Sequence, residues 1–167
     1  MPNPLSTLGI VHTLISLIAV AAGLYLFLRY RRIDVSTGAG KVYLVTLVLT
    51  SLTSFGLSST GGFNPGHVIA ILALVAALGG TLAPHLAFLG RLRPYLSAFG
   101  LAASYFLLNV PAINETLSRL PPSHPIGNGP ESPVVQSTVL AWLVIFIVGA
   151  IAQQWMIHRE QQAPRRA

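Results

Sequence analysis

Cysteine is absent from this 167-residue chain and charge is scarce, with ten Lys and Arg and four Asp and Glu making up only 8% of the residues. Without a thiol there is no disulfide, thiolate metal site, cysteine nucleophile or covalent c-type haem attachment. Ordinary soluble domains are about 25% charged, so this chain has too few charges to cover a water-facing surface. What it has instead is apolar length. Hydrophobic residues make up 53% and the mean hydropathy is +0.67. They collect in five runs, at approximately residues 5–28, 42–57, 66–89, 95–110 and 134–157, and no Asp, Glu, Lys or Arg falls inside any of them. In lipid only helices and closed barrels satisfy their own backbone. The expected fold class is therefore an all-α integral membrane protein, one polytopic domain over residues 1–167 with five transmembrane helices.

The flanking charges predict an orientation. Arg29, Arg31, Arg32 and Lys41 lie between runs one and two, Arg91 and Arg93 between runs three and four, and Arg159, Arg165 and Arg166 after run five. Only Arg119 lies on the other side. Lys and Arg in short loops stay cytoplasmic, which puts the N-terminus outside and the C-terminus inside a prokaryotic plasma membrane. Topology thus accounts for the formal charge of +6, and the implied partner is the lipid bilayer rather than nucleic acid. Ala19-Val20-Ala21 resembles a signal cleavage site, but Met1 to Ser6 carries no basic side chain and the Arg cluster follows the run. That order marks a retained first span.

Runs two and four, at 16 residues each, reach only about 24 Å as helices, short of a hydrocarbon core of about 30 Å. Residues 58–66 are neutral and Gly-rich, which predicts a tight external turn ahead of a helix with Pro65 at its start. The external polar stretch is residues 114–133. Ile113, Leu117 and Leu120, with Glu115 and Arg119 on another face, predict a short amphipathic extension of span four, ended by Pro121-Pro122. His124 reads as a solvated loop residue. Asn114-Glu115-Thr116 fits a glycosylation acceptor, relevant only in a secretory-pathway host.

Two histidines fall on apolar helices. Placing His12 over His67 also places Leu17 over Leu72 and Val20-Ala21-Ala22 over Val75-Ala76-Ala77, and Lys41-Val42-Tyr43-Leu44 parallels Arg93-Pro94-Tyr95-Leu96. A duplicated helix hairpin is one explanation; the shared Ala, Val and Leu of membrane helices is the other. His12 continues through Ser16, Ala19 and Gly23 on one stripe, while Ala73 with Ala77 and Ala76 with Gly80 have small-x-x-x-small spacing. Such stripes belong to helix contacts, which predicts His12 buried against the third helix with His67 nearby. A pair of this kind is a candidate cofactor and metal site, with His12 and His67 as axial ligands to b-type haem iron. The structural alternative has His12 bonded to a Ser, Thr or carbonyl across a helix contact and His67 at the wet interface. Pro84 is expected to bend the third helix, and His85 with His158 forms a weaker second pair, the latter also readable as interfacial anchoring beside Trp155 and Arg159. Thr46, Thr50, Thr53 and Ser54 give span two a hydroxyl face suited to helix contacts or, less simply, to a hydrophilic pathway.

Catalytic patterns are missing. There is no intramembrane carboxylate for a proton relay, no His-Glu-x-x-His, no phosphate-cradling Gly-Lys-Ser/Thr and no Gly-x-Ser-x-Gly turn. The first functional expectation is therefore a non-enzymatic membrane component acting through lipid, other membrane proteins or self-association. A b-type haem or redox carrier using His12 and His67 is the second, and small-solute permeation the third.

Gly62-Phe63-Asn64-Pro65-Gly66-His67 opening a long apolar helix, with His12 in the helix before and a basic turn leading into Gly40-Lys41-Val42-Tyr43, resembles the small bacterial membrane proteins grouped as domain-of-unknown-function family 2306. The resemblance covers the first four spans and implies architecture but no activity. That family also carries histidines in the basic turns before helices two and four. This chain has none between Arg31 and Tyr43 or between Arg91 and Tyr95, so no metal site is implied there.

Overall fold

The computed structural model describes residues 6–57 and 62–162. Leu5, residues 58–61 of the neutral loop, Arg165 and Arg166 lie outside the described residues. Among those described, the regular elements are helices: α1 (Thr7–Tyr30), α2 (Gly38–Ser54), α3 (Pro65–Leu82), α4 (Arg93–Arg119) and α5 (Pro133–Gln162). Two 3-10 turns, Ala83–His85 and Ala87–Leu92, join α3 to α4. Four segments are long and apolar enough to cross a membrane: Thr7–Tyr30, Pro65–His85, Ala87–Arg119 and Pro133–Gln162. The exception is α2, with 17 residues that include the hydroxyl face from Thr46 to Ser54.

Local chemistry sets the helix ends. Ser6 caps α1 by accepting from Gly9 N–H at 3.1 Å, and Arg31, at φ 59°, returns its N–H to Phe27 O. Thr37 caps α2 through Gly40 N–H at 3.0 Å. The turn before it winds around Asp34, whose carboxylate accepts from the Ser36 hydroxyl at 2.6 Å and the Ser36 amide at 3.0 Å. Gly40 is required here, because a Cβ would fall 1.9 Å from Asp34 O.

Prolines act in opposite ways on the third and fourth spans. The expected third span of residues 66–89 is α-helical only to Leu82, and the expected bend at Pro84 is a helix end. Without an N–H, Pro84 cannot extend the α-helical ladder; the chain passes through a 3-10 turn and Leu86 is extended, at φ −87° and ψ 102°. The fourth span, expected at residues 95–110, is instead a 27-residue helix with Pro111 inside it. Pro111 removes one hydrogen bond, but the pattern beyond it remains amphipathic. Ile113 and Leu117 are half-buried, Glu115 pairs with Arg119, and α4 absorbs the predicted extension.

α1 packs on α2 and α3 on α4, while α4 also touches α1 and α5. Close approach follows from small residues on the expected stripes. A Cβ on Gly23 would lie 2.4 Å from the Tyr105 ring, and one on Gly100 would lie 2.7 Å from Ala76 O and 2.9 Å from Gly80 Cα. Ala19, Leu26, Tyr43, Leu47, Ala77, Leu101, Tyr105 and Leu108 form the core.

Polar cross-links run through that core to α4. The Ser104 hydroxyl donates to Leu101 O at 2.8 Å, so it accepts from the Tyr43 hydroxyl, also at 2.8 Å. Tyr105 Oη donates to Val20 O and Trp142 Nε1 to Phe106 O, each at 3.2 Å. The Tyr43, Tyr105 and Trp142 donors thus each have an acceptor on another helix, as buried Tyr and Trp require.

Candidate functional site

At the end of the bundle where α1 begins, His12 Nδ1 lies 2.9 Å from Thr53 Oγ1. The single Thr53 hydroxyl hydrogen is already directed to the carbonyls of Leu49 and Thr50, at 2.8 and 3.0 Å. Thr53 therefore accepts from His12 Nδ1–H, and His12 keeps its Nε2 lone pair. This is the bond to a Thr across a helix contact that the structural alternative called for. Burial against α3 is corrected: His12 is half-exposed and its partner is on α2, because α1 pairs with α2 while α3 pairs with α4.

His67 is more enclosed than its place in a first helical turn suggested. It is 4% exposed, with ring centroids of Phe55 and Phe63 at 5.1 and 5.3 Å. Asn64 caps α3 by accepting from Gly66 N–H at 2.9 Å and His67 N–H at 3.3 Å. In return His67 Nδ1 accepts from Asn64 N–H at 3.3 Å, completing a capping box. His67 Nε2–H donates to Ser54 O at 3.1 Å.

Both histidines thus close onto consecutive residues in the last turn of α2. They do not form an axial haem pair as arranged, because both ring nitrogens of His67 are engaged and an iron ligand needs a free nitrogen lone pair.

The other end is built differently. Arg91 and Leu92 from the second 3-10 turn, Tyr95 from α4, and His158, Gln161 and Gln162 from α5 line an open cavity of about 430 Å³. Glutamines dock α5 there, through Gln153 Nε2 to Arg31 O at 3.1 Å, Gln154 Nε2 to Tyr95 O at 3.3 Å and Gln161 Nε2 to Arg91 O at 3.3 Å. His158 Nε2 accepts from Gln162 Nε2 at 2.8 Å, which leaves Nδ1–H to donate to Tyr95 Oη at 3.2 Å. The ring nitrogens of His158 are turned to Tyr95 and Gln162, while His85 sits exposed in its 3-10 turn.

This cavity was not foreseen from the sequence. Its one readable signal is the polar stripe Gln153, Gln154, His158 and Gln161, which spirals along the end of an otherwise apolar helix. No family model, no curated protein and no solved structure matches this chain.

Proposed function

We propose that this is a five-span plasma-membrane protein of a prokaryote, N-terminus outside and C-terminus cytoplasmic, that works without catalysis through contacts with lipid or other membrane proteins. The observation that carries this reading is the surface of α5. Of its 30 residues only Val135, Gln153 and Ile157 are buried. Leu140, Val144, Ile145, Ile147, Val148 and Ile151 are between 46% and 65% exposed. A continuous apolar face of this kind belongs against lipid or another protein.

α2 completes the five. Its 17 residues span about 26 Å, and α1 and α3 flank it, so its hydroxyl face turns toward protein through Ser16, His12 and His67. The basic residues at the α1–α2 turn, the α3–α4 turn and the end of α5 support the orientation. The resemblance to domain-of-unknown-function family 2306 belongs to the same proposal. Asn64-Pro65-Gly66-His67, which carries it, acts here as a helix-capping motif.

A reporter active only in the cytoplasm, fused after Ala167 or within residues 33–40, is expected to be active, and within residues 123–129 to be silent. The reverse pattern overturns the orientation, and activity at both kinds of position overturns the span count. A Soret band in the purified protein would overturn the reading without a redox cofactor.

A further inference from the structure

We propose that the cavity between the α3–α4 turn and the end of α5 binds a phosphate oxyanion, presented by the headgroup of an anionic lipid. The inference rests on the membrane reading above and names the lipid chemistry that this end of the molecule recognises.

Hydrogen accounting gives the sign of the ligand. Among the described residues, Arg91 contributes the only permanent charge in the lining, and its guanidinium has no ion-pair partner. Arg93, two residues on, donates to Ala87 O through Nη2 at 2.9 Å, has its Nε buried, and is not in the lining. His158 Nδ1–H already donates to Tyr95 Oη, so among the described residues the Tyr95 hydroxyl hydrogen has no acceptor. Gln161 spends one amide hydrogen on Arg91 O and keeps a second. Among the described residues no carboxylate lines the cavity; Glu160, in the same turn of α5, is outside the lining. The amide oxygens of Gln161 and Gln162 also lie in the lining, but they carry no formal charge, so the Arg91 guanidinium favours an anion, and its fork with the hydroxyl and amide donors matches phosphate oxygens.

Size and surroundings point to the source. The cavity, at about 430 Å³, falls within the range of about 300–1,000 Å³ typical of small-molecule sites. Leu92, in the lining, is 58% exposed, and Phe88 in the same turn is 82% exposed. Trp155 is exposed one turn before His158, with the Arg159 guanidinium 4.5 Å from its ring centroid. Apolar and aromatic side chains interleaved with Arg are the composition of a headgroup-level belt. The donors therefore open at the depth where lipid phosphates lie.

The test uses the full-length protein, delipidated in a mild detergent and titrated separately with phosphatidylglycerol, phosphatidylcholine and inorganic phosphate. Native mass spectrometry reads lipid retention and thermal unfolding reads protection. Phosphatidylglycerol is expected to be retained over phosphatidylcholine, with Arg91→Gln lowering retention by about tenfold and Tyr95→Phe by about threefold. Arg29→Gln, which removes a charge at the same end but outside the cavity, leaves retention unchanged.

Equal retention of the two lipids, or an Arg91→Gln protein that folds and binds like wild type, overturns the site. Should Arg91→Gln not fold, Tyr95→Phe decides, since it removes one oxygen and leaves the ring. Protection by inorganic phosphate equal to that by phosphatidylglycerol overturns the lipid as the source and keeps the phosphate chemistry. Loss of lipid selectivity in a protein whose reporter fusions keep the expected pattern removes this site alone. Reversed fusions remove the reading beneath it.

Discussion

The two ends of the bundle handle polar side chains in opposite ways. Where α1 begins, each ring has a partner: His12 is paired with Thr53, and both nitrogens of His67 are taken by Asn64 and Ser54. Where α5 finishes, Arg91, Tyr95 and Gln161 retain hydrogens without an acceptor among the described residues, around an open cavity. Ionisable residues on apolar helices attract functional interpretation first, yet here the histidine of the third helix has both nitrogens engaged and that of the first is tied by Nδ1 to the neighbouring helix. The chemistry left over sits at the ordinary-looking basic turn. Satisfied polar groups stabilise a fold, and unsatisfied ones at a surface leave room for a ligand.

Substitution of the two buried or cavity-lining histidines tests this contrast with the largest expected effect. His67→Ala removes a capping-box partner, a hydrogen bond to Ser54 and a ring packed between Phe55 and Phe63, and is expected to destabilise the protein by about 3 kcal/mol. His158→Ala, on an exposed turn, is expected to change stability by about 0.5 kcal/mol while weakening phosphatidylglycerol retention. Thermal unfolding in detergent compares the two. Equal losses would show that the ends are not built differently.

The apolar runs that became α1, α3, α4 and α5 were legible because lipid leaves no other way to satisfy a backbone, and the small-residue stripes correctly marked helix contacts. The two proline positions were not. Pro84 stands where an α-helix ends and Pro111 where one continues. The difference lies beyond the proline: Leu86 is extended and Gly90 takes φ 49°, whereas the amphipathic pattern past Pro111 goes on to Arg119. The hydroxyl face of span two hinted at a partner for His12, but which helix would face it depends on the order of packing. The cavity was least legible, because its bonds join residues 59, 63 and 70 positions apart and no local period records such pairings.

His12 refines the closed end at smaller amplitude. Its Nδ1–H donates to a Thr53 hydroxyl that already donates to backbone carbonyls, so removing the ring strands no hydroxyl hydrogen. His12→Leu is therefore expected to cost about 1 kcal/mol, near the upper part of the range for interhelical hydrogen bonds in membranes. His12→Gln, whose amide can donate to the same oxygen, is expected to stay within about 0.5 kcal/mol of wild type. A loss above about 3 kcal/mol in His12→Gln, measured by the same unfolding assay, would show a role for the ring beyond this bond.

Asp34 gives the smallest effect and shows that the basic end also contains one closed polar group. Its carboxylate accepts from the Ser36 hydroxyl and amide, with Arg32 nearby, and these interactions hold its pKa below the ordinary carboxylate value. A depressed folded pKa means that the stabilisation is fully present above the unfolded value of about 3.9 and is lost as pH falls through the folded value. Because the group is largely solvent-exposed, the contribution is expected to be only about 0.5 kcal/mol. Asp34→Asn keeps an acceptor for Ser36 but has no charge to titrate. Between about pH 6 and pH 3, which brackets the carboxylate range, the unfolding midpoint of wild type is expected to fall slightly more than that of Asp34→Asn. Parallel curves would show that acid acts elsewhere, and would remove Asp34 as the carboxylate that secures the turn into α2.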